Sequence, residues 1–173
     1  MKADKDIIIH ESAVIKRPDL VVMGNHIAID PFFYMSTGGK LGSYIHISSH
    51  VSVIGGEQGL LVMEDFTTIA AGCRIVCVSN NFADGSGFIN PFVEFKYRSN
   101  LIGNTVIMRK HSALGTNVVV HPTVTIGEGS VVGSNSLVLK STEPWGIYAG
   151  TPAVKIGERP REVLLKYEND FTM

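Results

Sequence analysis

From Ile102 onward an aliphatic or Met residue returns at every sixth position: Ile102, Met108, Leu114, Val120, Ile126, Val132 and Val138. Four residues after each of the first six stands a small or β-branched residue: Val106, Ser112, Val118, Val124, Ser130 and Ser136. An amphipathic helix would repeat near 3.6 residues and a simple strand every second residue. A period of six predicts one short strand and one corner per repeat. The small residue and the aliphatic residue two places later both point inward, as pleating requires. Three repeats close a triangular coil, and stacked coils pair strand over strand in parallel. One coil cannot bury its own interior, so stacking supplies the core.

Upstream the same beat recurs in shifted blocks: Ile9, Ile15, Val21, Ile27 and Phe33, then Met35, Leu41, Ile47 and Val53, then Met63, Ile69 and Ile75. The breaks fall at 54–62 and 76–101, and long loops in compact domains usually carry function. If each break replaces one corner and hides no further repeat, both loops leave the same corner. Residues 53, 75, 114 and 132 then share one column, and 63, 102, 120 and 138 the next. After Val138 come two turns, Glu143-Pro144-Trp145-Gly146 and Ala149-Gly150-Thr151-Pro152. Residues 158–170 read as a helix with Pro160 in its first turn and an apolar stripe at Val163, Leu164 and Tyr167. The expected architecture is all-β: a parallel β-helix over 1–157 and a capping helix or tail over 158–173.

A chain of 173 residues suits one domain, and 18 glycines with 45% hydrophobic residues exclude a disordered or coiled-coil chain. The net charge of -1 lacks the basic footprint of a nucleic-acid binder. Cys73 and Cys77 make neither a disulfide framework nor a complete zinc set, and Cys73 falls on a small inward position. No apolar run reaches the ~20 residues of a membrane span, and the charged start does not open a signal peptide. The cytoplasm is the expected compartment.

The stretch His121-Pro122-Thr123-Val124-Thr125-Ile126-Gly127-Glu128-Gly129-Ser130-Val131-Val132-Gly133 and the turn Tyr148-Ala149-Gly150-Thr151-Pro152-Ala153 resemble the hexapeptide-repeat acyltransferase superfamily, in its sugar- and antibiotic-acetylating branch. The resemblance implies a left-handed parallel β-helix, a homotrimer, and acetyl-CoA bound in the groove between subunits. It assigns Thr116 and Ser134 to the pantetheine arm. Lys140, Lys155 and Arg159 become candidates for the CoA phosphates.

The branch carries a catalytic histidine in the long loop, followed by an Asp-Gly pair. Here the loop reads Asn80-Asn81-Phe82-Ala83-Asp84-Gly85, so Asn81 stands at the histidine's place and cannot take a proton. The remaining acid–base candidates are His50, His46, Asp84 and His111, with His50 and His111 expected on one column at one corner, two coils apart. His10, His26 and His121 read as structural or solvated. A carbonic-anhydrase-like zinc set of His46, His50 and His111 is the weaker alternative, and no metal is expected. Asn81, Phe82 and Tyr97 are candidate acceptor contacts, because aromatic rings stack on apolar sugar faces.

The resulting expectation is an acetyl-CoA-dependent O-acetyltransferase acting on a saccharide or its precursor. N-acetylation of a nucleotide-linked amino sugar is the alternative. A non-enzymatic assembly protein is a third reading.

Overall fold

The computed structural model describes residues 6–171, with side chains placed through residue 168. The chain winds as a three-faced parallel β-helix. Among the described residues face I holds eight strands, face II six and face III five. Pairing within each face is parallel except for the closing hairpin, where Gly146–Gly150 meets Ala153–Glu158 antiparallel. Columns of inward residues run along the axis: Ile47, Ile69, Leu114 and Val132 on face I; Met35, Val53, Ile75, Val120 and Val138 on face II; Leu41, Met63, Met108 and Ile126 on face III. All are buried in one continuous core together with the small-position residues Cys73, Val106, Val118 and Val124. Each such fully buried aliphatic side chain contributes roughly 1.5–3 kcal/mol.

The phase of the repeat differs from expectation after the long loop. Ile102 keeps the six-residue beat but does not belong to a coil. It lies in Leu101–Ile102, which pairs antiparallel with Ser79–Asn80 as the return leg of the loop. The helix resumes with Thr105–Met108, stacked on Leu60–Met63. Residues 114 and 132 therefore stack with 47 and 69, and residues 120 and 138 with 53 and 75. The expectation failed because an in-phase aliphatic residue paired with the outgoing leg of its own loop. Both excursions still leave face II and re-enter on face III. The first is a tight turn around the 3₁₀ segment Gly56–Gln58, and the second spans 77–104. They press together at their roots: a Cβ on Gly59 would sit 2.6 Å from Thr37 Cγ2 and 3.2 Å from Cys77 Cβ.

The other two corners are regular, and every turn except the first of the face I/II corner, at 10–13, passes through one residue of positive φ. At the face I/II corner these are Phe32, His50, Gly72, Asn117 and Asn135. At the face III/I corner they are His26, Tyr44, Phe66, His111, Gly129 and Trp145. Bulky residues avoid this conformation, at roughly 1–2 kcal/mol per residue. The III/I corner offsets the cost by stacking. Ring centroids lie 4.6 Å apart for His26–Tyr44, 4.7 Å for Tyr44–Phe66, 5.3 Å for Phe66–His111 and 6.2 Å for His111–Trp145. Such pairs are worth about 0.5–1.5 kcal/mol each.

The C-terminal helix runs Glu162–Phe171, later than expected and without Pro160. The closing strand holds the backbone extended through Glu158, and Arg159 N–H donates to Trp145 O, so the helix begins only after the proline. Val163 and Tyr167 of the expected apolar stripe are mostly exposed, while Leu164 is half-buried.

Candidate functional site

The long loop at the II/III corner is built on the two-stranded stem Ser79–Asn80 and Leu101–Ile102. Asn81 N–H donates to Asn100 O at 2.7 Å, and Ser99 Oγ to Asn80 Oδ1 at 3.0 Å, which continues the stem upward. At its head sits Asp84. Asn81 Nδ2 donates to Asp84 Oδ2 at 2.8 Å, Ser86 N–H to Oδ1 at 2.8 Å, and Asn100 Nδ2 reaches Oδ2 at 3.4 Å. The Asp84–Ser86 contact is an Asx turn, in which the side chain copies a backbone turn. Hydrogen bonds from Ser86 and then Asn100 hold the Asp84 carboxyl below the usual carboxylate range. Donors satisfy the ionised form and would be mispaired with the protonated one. The result is an exposed, fixed anion that no cation among the described residues pairs with, suited to hold a cationic group.

Beyond Asp84 the loop is pinned by Arg98, whose Nε donates to Val93 O at 2.6 Å and Nη2 to Pro91 O at 2.5 Å. Asn80, Phe88, Ile89, Asn90, Pro91 and Arg98 line a recess of ≈ 170 Å³ there. Phe82, Phe88, Phe92, Phe95 and Tyr97 all lie open to solvent, Phe92 at 96%.

The other acid–base candidates lie elsewhere on the protomer. His46 sits on face I with Nε2 3.0 Å from Asp30 Oδ2. His50 is at the I/II corner, tilted against Phe32 at 4.9 Å. His111 is buried at the III/I corner, 2.8 Å from Glu168 Oε2. His50 and His111 therefore do not share a column, because the shifted phase moves His111 to a different corner. Among the described residues no three His, Cys, Asp or Glu side chains gather as a metal set.

Of the residues assigned to CoA, Thr116 and Ser134 are exposed on consecutive coils at the I/II corner, where Asn135 N–H donates to Thr116 O at 2.9 Å. Lys140 is exposed just past face II. Lys155 is held between Glu143 and Glu158, each at 2.6 Å, and Glu143 first and then Glu158 raise its pKa above the ordinary lysine value. Arg159 donates to His111 O at 2.8 Å and Gly129 O at 3.1 Å, tying the end of the hairpin to the III/I corner.

The aromatic corner and its tie to the helix were missed at the level of sequence. Glu168 bonds both Lys110 and His111, and its carboxyl is held below the usual range, by Lys110 first and His111 second. A signal was present. His26, Tyr44, Phe66, His111, Gly129 and Trp145 each directly precede a buried residue that opens a face I strand or its approach: Ile27, Ile45, Thr67, Ser112, Ser130 and Gly146.

No sequence-family profile matches the chain. A dTDP-4-amino-4,6-dideoxy-D-glucose acyltransferase of Escherichia coli is 31% identical over 170 residues, covering 96% of this chain and 86% of that protein. The chain belongs to the hexapeptide-repeat acyltransferase family. AntD, an N-acyltransferase from Bacillus cereus solved with dTDP and 3-hydroxybutyryl-CoA, superposes with a TM-score of 0.89 at 33% identity, over 96% of this chain and 86% of that one. Galactoside O-acetyltransferase of Escherichia coli is 29% identical, over 86% of this chain and 71% of that protein. This hexapeptide-repeat chain is an acyltransferase, and the relatives it matches along most of its length act on amines as well as hydroxyls.

Proposed function

We propose that the protein transfers a short acyl group from a CoA thioester to the amino group of a dTDP-linked 4-amino-4,6-dideoxy sugar. This is the N-acylation alternative, and it displaces O-acetylation as the main reading. The observation that carries it is Asp84, fixed as an anion by Ser86 and by the Asn81 and Asn100 amides, in the loop where the family resemblance leads one to expect a histidine at position 81. Two relatives covering most of the chain support the acceptor class, one acting on a dTDP-amino sugar and one bound to dTDP and an acyl-CoA.

The chemistry follows from the charges. A sugar amine reaches the site largely as an ammonium, which pairs with the Asp84 carboxylate and loses its first proton to solvent water before attack. The nitrogen then adds to the thioester carbonyl, the C–N bond forms and the C–S bond breaks. The added nitrogen is strongly acidic, so a weak carboxylate base suffices for its second proton, which Asp84 passes to the departing thiolate to give CoA-SH. Thr116 and Ser134 offer a small-residue ledge for the pantetheine arm, and Lys140 an open cation for phosphate. Lys155 and Arg159 would reach phosphate only by leaving their present partners. Phe82 and Tyr97 are the acceptor-side contacts in this reading.

The exposed loop aromatics and the half-buried Val119, Val131 and Leu137 support a homotrimer in which a neighbour completes the site. No described helix is long and apolar enough to cross a membrane. A cytoplasmic place in polysaccharide precursor synthesis accords with both proposed substrates. Thiol release from acetyl-CoA and 3-hydroxybutyryl-CoA tests the reading, with dTDP-4-amino-4,6-dideoxyglucose, free amino sugars and galactosides as acceptors. Turnover of galactosides alone would return the protein to O-acylation. Light scattering of an 18.7 kDa monomer at micromolar concentration would remove the shared groove.

A further inference from the structure

We infer that the side-chain amides of Asn81 and Asn100 position the Asp84 carboxylate and make the site selective for an amine over a hydroxyl acceptor. The inference rests on Asp84 being the group that meets the acceptor nitrogen.

Both amides come from the stem rather than from the flexible end of a side chain network. Asn81 directly follows the outgoing strand and Asn100 directly precedes the returning one, and their backbones bond to each other at 2.7 Å. The stem thus presents two Nδ2 groups to one carboxylate oxygen, Asp84 Oδ2, at 2.8 and 3.4 Å. The opposite oxygen takes Ser86 N–H at 2.8 Å. An amide nitrogen only donates and an ionised carboxylate only accepts, so every contact is matched. Flipping the Asn81 amide would set two acceptors against each other, so the donor orientation follows from the charge on Asp84. A protonated Asp84 would bring a hydrogen to a site already filled by donors.

No formal charge takes part. Hydrogen bonds hold the Asp84 carboxyl down, from Ser86 first and then Asn100, opposed by desolvation, and Asn81 Nδ2 donates to the same oxygen as Asn100 at the shorter distance of 2.8 Å. The charges elsewhere in the loop are engaged otherwise: Lys96 pairs with Glu94 at 3.0 Å, and Arg98 donates to loop carbonyls. A carboxylate tuned this way attracts an ammonium and can take protons that are already acidic. It is a poor base toward an alcohol, whose attack calls for a catalytic group poised near the working pH. Asn81, 2.8 Å from that carboxylate, is the side chain beside it just past the outgoing strand, and its amide has no proton affinity to offer. The amide therefore does two things at once: it holds the carboxylate and it withholds a base.

The test uses the full-length protein with acetyl-CoA. The acceptors are dTDP-4-amino-4,6-dideoxyglucose and dTDP-6-deoxyglucose, which differ only in carrying an amine or a hydroxyl at the same carbon. For Asn81→Ala and Asn100→Ala the acid limb of kcat/KM with the amine acceptor should move up by roughly half to one pH unit, as loss of one donor to a carboxylate predicts. KM for acetyl-CoA should stay within about twofold, which a merely loosened loop would not guarantee. In Asn81→His, turnover of the hydroxyl acceptor should rise at least about tenfold over the parent. Melting curves qualify each variant, and Asn100→Ala carries the test if Asn81→Ala does not fold. An acid limb that stays within about 0.2 units in the folded variants overturns the positioning role, provided Asp84→Asn has lost activity. If Asp84→Asn itself stays within about threefold of the parent, Asp84 is not the acceptor's partner and the inference falls with that reading.

Discussion

Two corners of one triangular coil turn the chain by opposite means. At the III/I corner every coil spends its turn residue on a bulky ring or on the glycine beneath one, and the rings stack through the height of the molecule. At the II/III corner the chain leaves the coil twice, and the head of the long excursion sets the Asp84 carboxylate, held by amides, among exposed aromatics. The first corner gains stability from burial and is sealed by Lys110, His111 and Glu168 against the C-terminal helix. The second has almost nothing apolar buried beyond its roots at Cys77 and Val78, so its shape rests on hydrogen bonds. Unevenness of this kind is what a solenoid permits, since each coil leans only on its neighbours. One edge can carry the chemistry while another carries the stability.

The sharpest way to break the comparison is to remove charge from the loop corner. Asp84→Asn should lower kcat/KM toward a dTDP-amino sugar by about 100- to 10,000-fold, the usual cost of losing a general base. Its melting temperature should stay within about 2 °C of the parent, because an exposed loop residue adds little to stability. A large fall in melting temperature would mean that the loop corner is structural too.

The converse change is Gly129→Ala. Gly129 turns at φ +65, and a Cβ there would run into the Trp145 ring at Cδ2 and Cε3. Overpacking of this kind costs about 1–3 kcal/mol, and left-handed strain adds about 1 kcal/mol. For a chain of this size that is a drop of roughly 5–12 °C in melting temperature. Activity at low temperature should persist, since the acceptor site stands at another corner. Loss of turnover in a variant that still melts cooperatively would show that the corners communicate.

How far this contrast was legible beforehand depended on which residues speak locally. The repeat could be read because inward positions need aliphatic or small side chains, and Leu114, Val120, Ile126, Val132 and Val138 obey that need without exception. The phase across the long loop could not, because Ile102 satisfies the same beat while pairing with Ser79. Periodicity records which residues are apolar, not which strand they meet. The Asp84 site was partly legible: the Asn-for-His departure and the following Asp-Gly drew attention to the right segment. Asn100 was invisible, since it is brought to Asp84 by a stem that closes across 16 residues. The Glu168 tie joins residues 57 apart and left no local trace.

A smaller effect should come from that tie. Lys110 and His111 hold the Glu168 carboxyl below its ordinary value, so the folded state favours the ionised form. A depressed folded pKa contributes stability that is complete above the unfolded value, about 4.3, and is lost as pH falls through the folded value. Glu168→Gln should therefore melt about 2–4 °C below the parent at pH 7, for about 1 kcal/mol. The difference should begin to shrink as pH falls below about 4.3 and should close once pH is below the depressed folded value. A gap that does not shrink at all on acidification below about 4.3 would assign the effect to packing of the helix rather than to charge.

The smallest effect expected is none at all, and it bears on the root of the loop corner. Cys77 is the first residue of the long excursion, yet it is fully buried, and burial pushes its thiol up to about 12. Cys73 is equally enclosed, and its Sγ donates to Gly115 O at 3.1 Å. Thiolates, not thiols, react with disulfide reagents. At pH 8 the native protein should release no chromophore from such a reagent over an hour, while both thiols should react on denaturation. The measurement separates two pictures of the II/III corner. In one, mobility begins above the stem and the root belongs to the core. In the other, the loop opens from its base, and Cys77 would react in the native state while Cys73, deep under face II, stayed silent. Selective labelling of Cys77 would mean that the hydrogen-bonded stem does not hold Asp84 in place. The carboxylate would then need a neighbouring subunit to fix it.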